Sequence, residues 1–184
     1  MNRRHLMLGG VAVAAGAAGV GIAQWRAANA RAEVEKAAEQ AANAAGEAAL
    51  WGMKFEAPGG GELAMASLRG QPLLLNFWAT WCAPCLKEMP LLDAFYKQHE
   101  AAGWRVVGLA VDSPTPVRSY LAKLPIAFPV GLAGMDGVEL TRSLGNASGS
   151  LPFTVVFDRK GSAFERKLGQ VEPADFTRWV KAFA

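Results

Sequence analysis

Two cysteines, Cys82 and Cys85, are the only thiols in the 184-residue chain, and they stand three apart in "ATWCAPCLKEMP" (79–90). A C-x-x-C pair can serve four chemistries. A zinc site needs about four ligands, and the only histidines are His5, near the amino terminus, and His99. Covalent haem attachment needs C-x-x-C-H, and Leu86 follows Cys85 here. A permanent structural disulfide would close a loop of a few residues and constrain the unfolded chain very little. A thiol–disulfide redox pair remains, and the position of the motif favours it. Cys82 falls where an apolar run hands over to a helix, so unpaired backbone N–H groups and the helix dipole would stabilise its thiolate. Cys85, one turn on, would be more buried and able to attack a mixed disulfide.

The elements that must hold this pair follow from periodicity. "PLLLNFWA" (72–79) is a short apolar run, as expected of a strand buried on both faces. Cys82 to Glu100 predicts a helix, with Leu86, Met89, Leu92, Phe95 and Tyr96 as its apolar stripe. "WRVVGLAVD" (104–112) and "FTVVFD" (153–158) predict two further strands. "SAFERKLG" (162–169) pairs back on the latter as a hairpin across the "DRKG" turn. Helices are expected at Pro116–Leu124, at Val138–Leu144 ending on Gly145, and at Pro173–Phe183. "GGGELAMASLRG" (59–70) adds a small hairpin before the first long strand. Strands alternating with helices, then a hairpin and a last helix, imply an α/β architecture: a mixed central sheet with helices on both faces.

Composition narrows the function. Hydrophobic residues are 52% of the chain, enough for a core that does not depend on a disulfide. A net charge of +3 without a basic, aromatic-interleaved stripe argues against nucleic-acid binding. The first thirty residues read as an export signal. Arg3 and Arg4 form a positive n-region, Leu6 to Ala23 is uncharged, and Ala28-Asn29-Ala30 has the A-x-A pattern of a cleavage site. The paired arginines in "RRHLML" loosely fit twin-arginine export, and the Sec route stays open. The rival reading is an uncleaved membrane anchor with the arginines held in the cytoplasm. Both place the domain beyond the membrane. Residues 31–50, rich in Ala, Glu and Lys, predict a solvated helical spacer, and 51–184 the folded domain.

At "NFWATWCAPCLKEMP" the chain resembles thioredoxin-like proteins, specifically the exported TlpA/ResA-type disulfide reductases. The resemblance runs from Trp51 to Ala184. It rests on W-C-x-x-C after a strand containing "NFW", on Glu88 and Pro90 three and five residues past Cys85, and on "VVGLAVD" as the next strand. It also rests on "AFPVGLAGMDGVELTRSLGNASGSLPFTVVFDRKG", which is similar to the family's F-P-V…G-x-P-T-x-x-x-D-x-x-G region. The sequence departs from that pattern at Ser150-Leu151-Pro152-Phe153 but keeps the proline.

The resemblance implies a thioredoxin fold and a protein-disulfide reductase that needs no cofactor. Cys82 would be the attacking cysteine and Cys85 the resolving one. Leu151-Pro152 would be a cis peptide bond facing them, its backbone receiving an extended substrate beside Trp81, Ala83, Pro84 and Leu151. Asn76 stands where thioredoxin has a buried Asp, so that proton acceptor is missing. Glu88, one turn beyond Cys85 on a similar face, can replace it, disfavouring the thiolate by like charge and accepting a proton. The plain alternative for Glu88 is a solvated helix charge. Trp78 belongs in the core. Implied partners are disulfide-bearing periplasmic proteins, such as apocytochrome c or copper-site assembly proteins, and a membrane thiol donor of the DsbD/CcdA type. A disulfide-forming oxidase would share the motif, but such enzymes often carry His between the cysteines. A thiol peroxidase would need P-x-x-x-T-x-x-C, and a Sco-type copper module C-x-x-x-C with a distal His. The sequon at Asn146-Ala147-Ser148 is read as chance.

Overall fold

The computed structural model describes residues 3–183, with side chains from residue 22 onward. The chain divides into two compact units, up to Ala41 and from Ala42. Helix α1 (Arg3–Leu50) is the first element. In the first unit its described side chains, from residue 22, are exposed, as the Ala/Glu/Lys composition predicts. Among the described residues, no helix is long and apolar enough to cross a membrane. The n-region arginines and most of the h-region lie outside the residues whose side chains are described.

In the second unit, seven strands form one mixed sheet: β1 (Lys54–Glu56), β2 (Glu62–Ala64), β3 (Leu73–Trp78), β4 (Arg105–Ala110), β5 (Val130–Leu132), β6 (Phe153–Phe157) and β7 (Ala163–Leu168). Their spatial order is β2-β1-β5-β4-β3-β6-β7. Strands β3, β4 and β5 run parallel, and β6 returns antiparallel to β3. Four more helices follow α1: α2 (Ala83–His99), α3 (Pro114–Lys123), α4 (Gly137–Ser143) and α5 (Pro173–Ala182). Every residue of β3 is buried, because the alternating side chains of a central strand feed two cores. Leu74 and Trp78 join residues of α2, α3 and α5 on one face. Leu73, Leu75 and Phe77 join the end of α1 and α4 on the other. Strand parity puts Asn76 on the α2 face, a polar residue inside an apolar layer.

Three features differ from the sequence expectation. Residues 31–50 are helical, but the last turns of α1 are not a solvated spacer. Leu50 and Trp51 are buried, and Trp51 Nε1 donates to the Gly161 carbonyl at 2.8 Å. Glu47 pairs with Arg166 and accepts the Ala163 N–H. An added Cβ on Gly46 would collide with the Ser143 carbonyl oxygen, so the helix backbone packs directly on α4. The compact unit therefore begins about nine residues before Trp51, at Ala42. The small hairpin lies earlier than expected: Gly60 and Gly61, at φ +94° and +87°, turn the chain between β1 and β2, and Met65–Leu68 is a short 3-10 helix. Strand β5 has only three residues, too few for a period to show.

Candidate active site

The C-terminal ends of the parallel strands set the site. Beyond Trp78 the chain leaves β3 through Ala79 and Thr80, and Cys82 becomes the N-cap of α2. Its sulfur accepts the Cys85 N–H at 3.3 Å, one of the donors that a helix start leaves unpaired. The two sulfurs are bonded, 2.01 Å apart. Cys85 is fully buried and Cys82 keeps 6% exposure, so the first cysteine is the accessible one. Ala83 and Pro84 are exposed in the first turn. Trp81 is 66% exposed, whereas Trp78 is fully buried. Pro90 sits inside α2, where it has no N–H to give the Leu86 carbonyl.

The strand-to-helix turn is tied down by Asp112, just past the end of β4. Its Oδ2 accepts the Thr80 N–H at 2.9 Å and the Thr80 hydroxyl at 2.5 Å, and its Oδ1 accepts the Ser113 N–H at 2.6 Å. A buried carboxylate is tolerated because three donors converge on it.

Leu151-Pro152 is a cis peptide bond. Phe153 pairs with Phe77 in the β3–β6 register, so Pro152 falls at the end of the sheet where β3 runs out toward Cys82. Leu151 packs against the core that contains both cysteines. The approach to this bond is shaped by Asn146, which is 4% exposed. Its Nδ2 donates to the Ser150 carbonyl at 2.8 Å and its Oδ1 accepts the Ser148 hydroxyl at 2.8 Å. The sequon residues thus fold the loop itself.

Glu88 is fully buried, which sets aside the solvated-charge reading. Its Oε1 accepts Asn76 Nδ2 at 2.7 Å and its Oε2 the Val171 N–H at 2.8 Å. Asn76 Nδ2 also donates to Thr154 Oγ1 at 3.0 Å, and Asn76 Oδ1 has no partner among the described residues. Burial pushes the Glu88 carboxyl up to about 7, against the lowering effects of the Val171 N–H, the Asn76 amide and the Lys167 charge. The residue in the place of thioredoxin's buried acid is therefore a donor that holds a glutamate from the neighbouring helix. Sequence reasoning found Glu88 and Asn76 but missed Thr154, Val171, Asp112 and Asn146. Thr154 is found only through strand register, and Val171 acts through its backbone. Among the described residues no cluster of His, Cys, Asp and Glu could hold a metal ion.

A parallel-centred sheet with a C-x-x-C pair capping its first long inner helix and a cis-proline loop beside it defines a thioredoxin-fold protein. The Redoxin family model matches residues 38–180, and the chain belongs to the redoxin family. It is 30% identical to the thiol-disulfide oxidoreductase ResA of Bacillus cereus (strain ZK / E33L) over 60% of this chain and 62% of that protein. It is also 30% identical to the ResA of Bacillus thuringiensis (strain Al Hakam), over 66% of this chain and 69% of that one. The chain thus spans less than two thirds of the first relative's length. A thiol:disulfide interchange protein of Chlorobium tepidum TLS superposes with a TM-score of 0.62 at 31% identity, covering 71% of this chain and 92% of that one. MTB dsbF, in mixed oxidized and reduced forms, gives 0.63 at 25% identity, over 74% and 98%. Family and fold are those of the redoxins, and these relatives are named as thiol-disulfide oxidoreductases or thiol:disulfide interchange proteins.

Proposed function

We propose that this protein is an exported protein-disulfide reductase working through Cys82 and Cys85. The observation that carries the reading is the buried Glu88, whose carboxyl changes charge at about 7 on the helix that Cys82 caps. A carboxyl poised there can take a thiol proton and return it. As an anion it disfavours thiolate, which destabilises the reduced pair and makes it a better reductant.

In the reaction, a disulfide-bearing protein docks against Trp81, Ala83, Pro84 and the Leu151-Pro152 loop. The Cys82 thiolate attacks one substrate sulfur, forming a mixed disulfide and expelling the other substrate sulfur as a thiolate. Glu88 takes the Cys85 proton, and the Cys85 thiolate attacks Cys82 Sγ. The second substrate sulfur leaves, and the enzyme disulfide forms. Two electrons pass to the substrate, whose two thiolates gain two protons, one given up by Cys82 on ionising and one released by Glu88. A thiol carrier in the membrane, of the DsbD/CcdA type, returns two electrons, and two protons are taken up. Periplasmic substrates in cytochrome c maturation or copper-site assembly fit such a reductant. The RR-initiated amino terminus supports export, by the twin-arginine or Sec route, with the segment either cleaved or kept as an anchor.

The test is the reduction potential of the full chain, equilibrated with glutathione buffers. A value near or below about −230 mV supports a reductant, and one near about −120 mV reverses the direction of electron flow. Separately, Cys85→Ser should trap substrate as a mixed disulfide at Cys82. A variant that traps nothing there counts against this order of attack.

A further inference from the structure

Asn76 on β3, Thr154 on β6 and Lys167 on β7 are directly opposed across three strands. Opposed residues project to the same face of a sheet, here the face covered by α2 and α5. Glu88 descends from α2 onto Asn76 at 2.7 Å. Asp175 descends from α5 onto Lys167, with Nζ and Oδ2 2.5 Å apart. Asp175 also pairs with Arg178 at 2.9 Å, and Arg178 with Glu165 at 2.5 Å. A row of polar residues thus runs from a carboxyl sealed in the core to ion pairs at the surface. Lys167 is its pivot: its side chain keeps 24% exposure, while that of Asp175 keeps 7%.

Glu88 accepts from Asn76 on β3 and from the Val171 N–H in the segment after β7, and lies within the field of Lys167 on β7. Thr154 from β6 takes the second Asn76 hydrogen bond, Cys85 lies one turn back on the same helix, and Asp175 acts through Lys167. Lys167 is the only cation in this set among the described residues. The Val171 N–H and the Asn76 amide offset the larger part of the desolvation of this carboxylate, and the positive charge of Lys167 adds to them. Without that charge, Glu88 would stay neutral to a higher pH and accept a proton over a narrower range.

We propose that Lys167, paired with Asp175, is a positioning residue for the redox centre, its ammonium favouring the ionised state of the buried Glu88 and the Asp175 carboxylate opposing it. This rests on the reading of Glu88 given above and names what makes that carboxyl usable. The Asp175 carboxylate moderates the effect, so the two members of the pair push Glu88 in opposite directions.

The full chain, labelled with carboxyl-¹³C glutamate, is titrated by NMR as wild type, Lys167→Met, Lys167→Arg and Asp175→Asn. Lys167→Met is expected to raise the Glu88 midpoint by about one pH unit, tenfold in proton affinity. Lys167→Arg should hold it near wild type, and Asp175→Asn should lower it. Structural loosening would move the Met and Asn variants in the same direction, and that outcome, or an unmoved midpoint in folded Lys167→Met, overturns the proposal. If Lys167→Met does not fold, Asp175→Asn and Lys167→Arg decide by the same signs. Single-turnover release of substrate is followed against pH in the same variants. Midpoints that move as expected while the release profile stays fixed support the Lys167 assignment and overturn instead the part given to Glu88 in thiol chemistry.

Discussion

Replacing Glu88 by Gln should flatten the pH dependence of stability. In the folded, oxidised protein this carboxyl titrates at about 7 rather than 4.5, chiefly because burial penalises its charge. The folded state therefore holds a proton that the unfolded chain releases between those two values. By linkage, the contribution is fully present below about pH 4.5, falls as pH rises, and is flat above about pH 7. A difference of 2.5 units corresponds to about 3 kcal/mol, of which roughly 2.5 kcal/mol falls between about pH 5 and pH 8. Gln cannot ionise and contributes no slope. Its amide offers one acceptor oxygen to two donors, Asn76 Nδ2 and the Val171 N–H, which adds an offset independent of pH. The assay is urea unfolding of both oxidised proteins across that range, with equal m-values required. Subtracting one curve from the other removes every other titrating group. The wild type should lose about 2–3 kcal/mol more than the variant on going from about pH 5 to pH 8. Parallel curves would refute the argument, for they would mean that Glu88 ionises as freely in the folded protein as in the unfolded chain.

Other substitutions test the framework around the site. Gly46→Ala gains about 1 kcal/mol of helix propensity, but its Cβ would collide with the Ser143 carbonyl. Overpacking against backbone costs about 1–3 kcal/mol, so a net loss is expected as a lower urea midpoint, and a gain would mean that α1 does not dock on α4. Asp112→Ala leaves the Thr80 N–H, the Thr80 hydroxyl and the Ser113 N–H without their acceptor. A loss of about 2–3 kcal/mol is expected in the same unfolding measurement, and Thr80→Val in that background should cost little more because its partner is already gone. An additive loss would show that Thr80 is held by something other than Asp112.

The chain's own order of residues determined a great deal. A buried run, a C-x-x-C pair and a periodic helix are local patterns, and local patterns specify β3, the Cys82 cap and α2 without reference to the rest of the fold. Likeness to a known family, not local pattern, put Trp81 on the contact surface, and Trp78 was read as core. Likeness to the redoxins supplied the cis Leu151-Pro152 bond, which no spacing predicts. What tertiary structure decided is where helix α2 meets partners far away in sequence. For Glu88 the sequence left a solvated charge open beside the proton-acceptor reading, and only the docking of α2 over β3 buries it against Asn76 and Val171. Thr154 comes to it through the pairing of β3 with β6 across 78 residues, which is invisible to any window of sequence, and Lys167 follows through the β6–β7 hairpin. The end of α1 followed the same rule: its composition says solvated helix, and one bare glycine and a glutamate packed onto α4 and β7 say otherwise. Helix propensity is a property of a segment, but burial is a property of what that segment lies against.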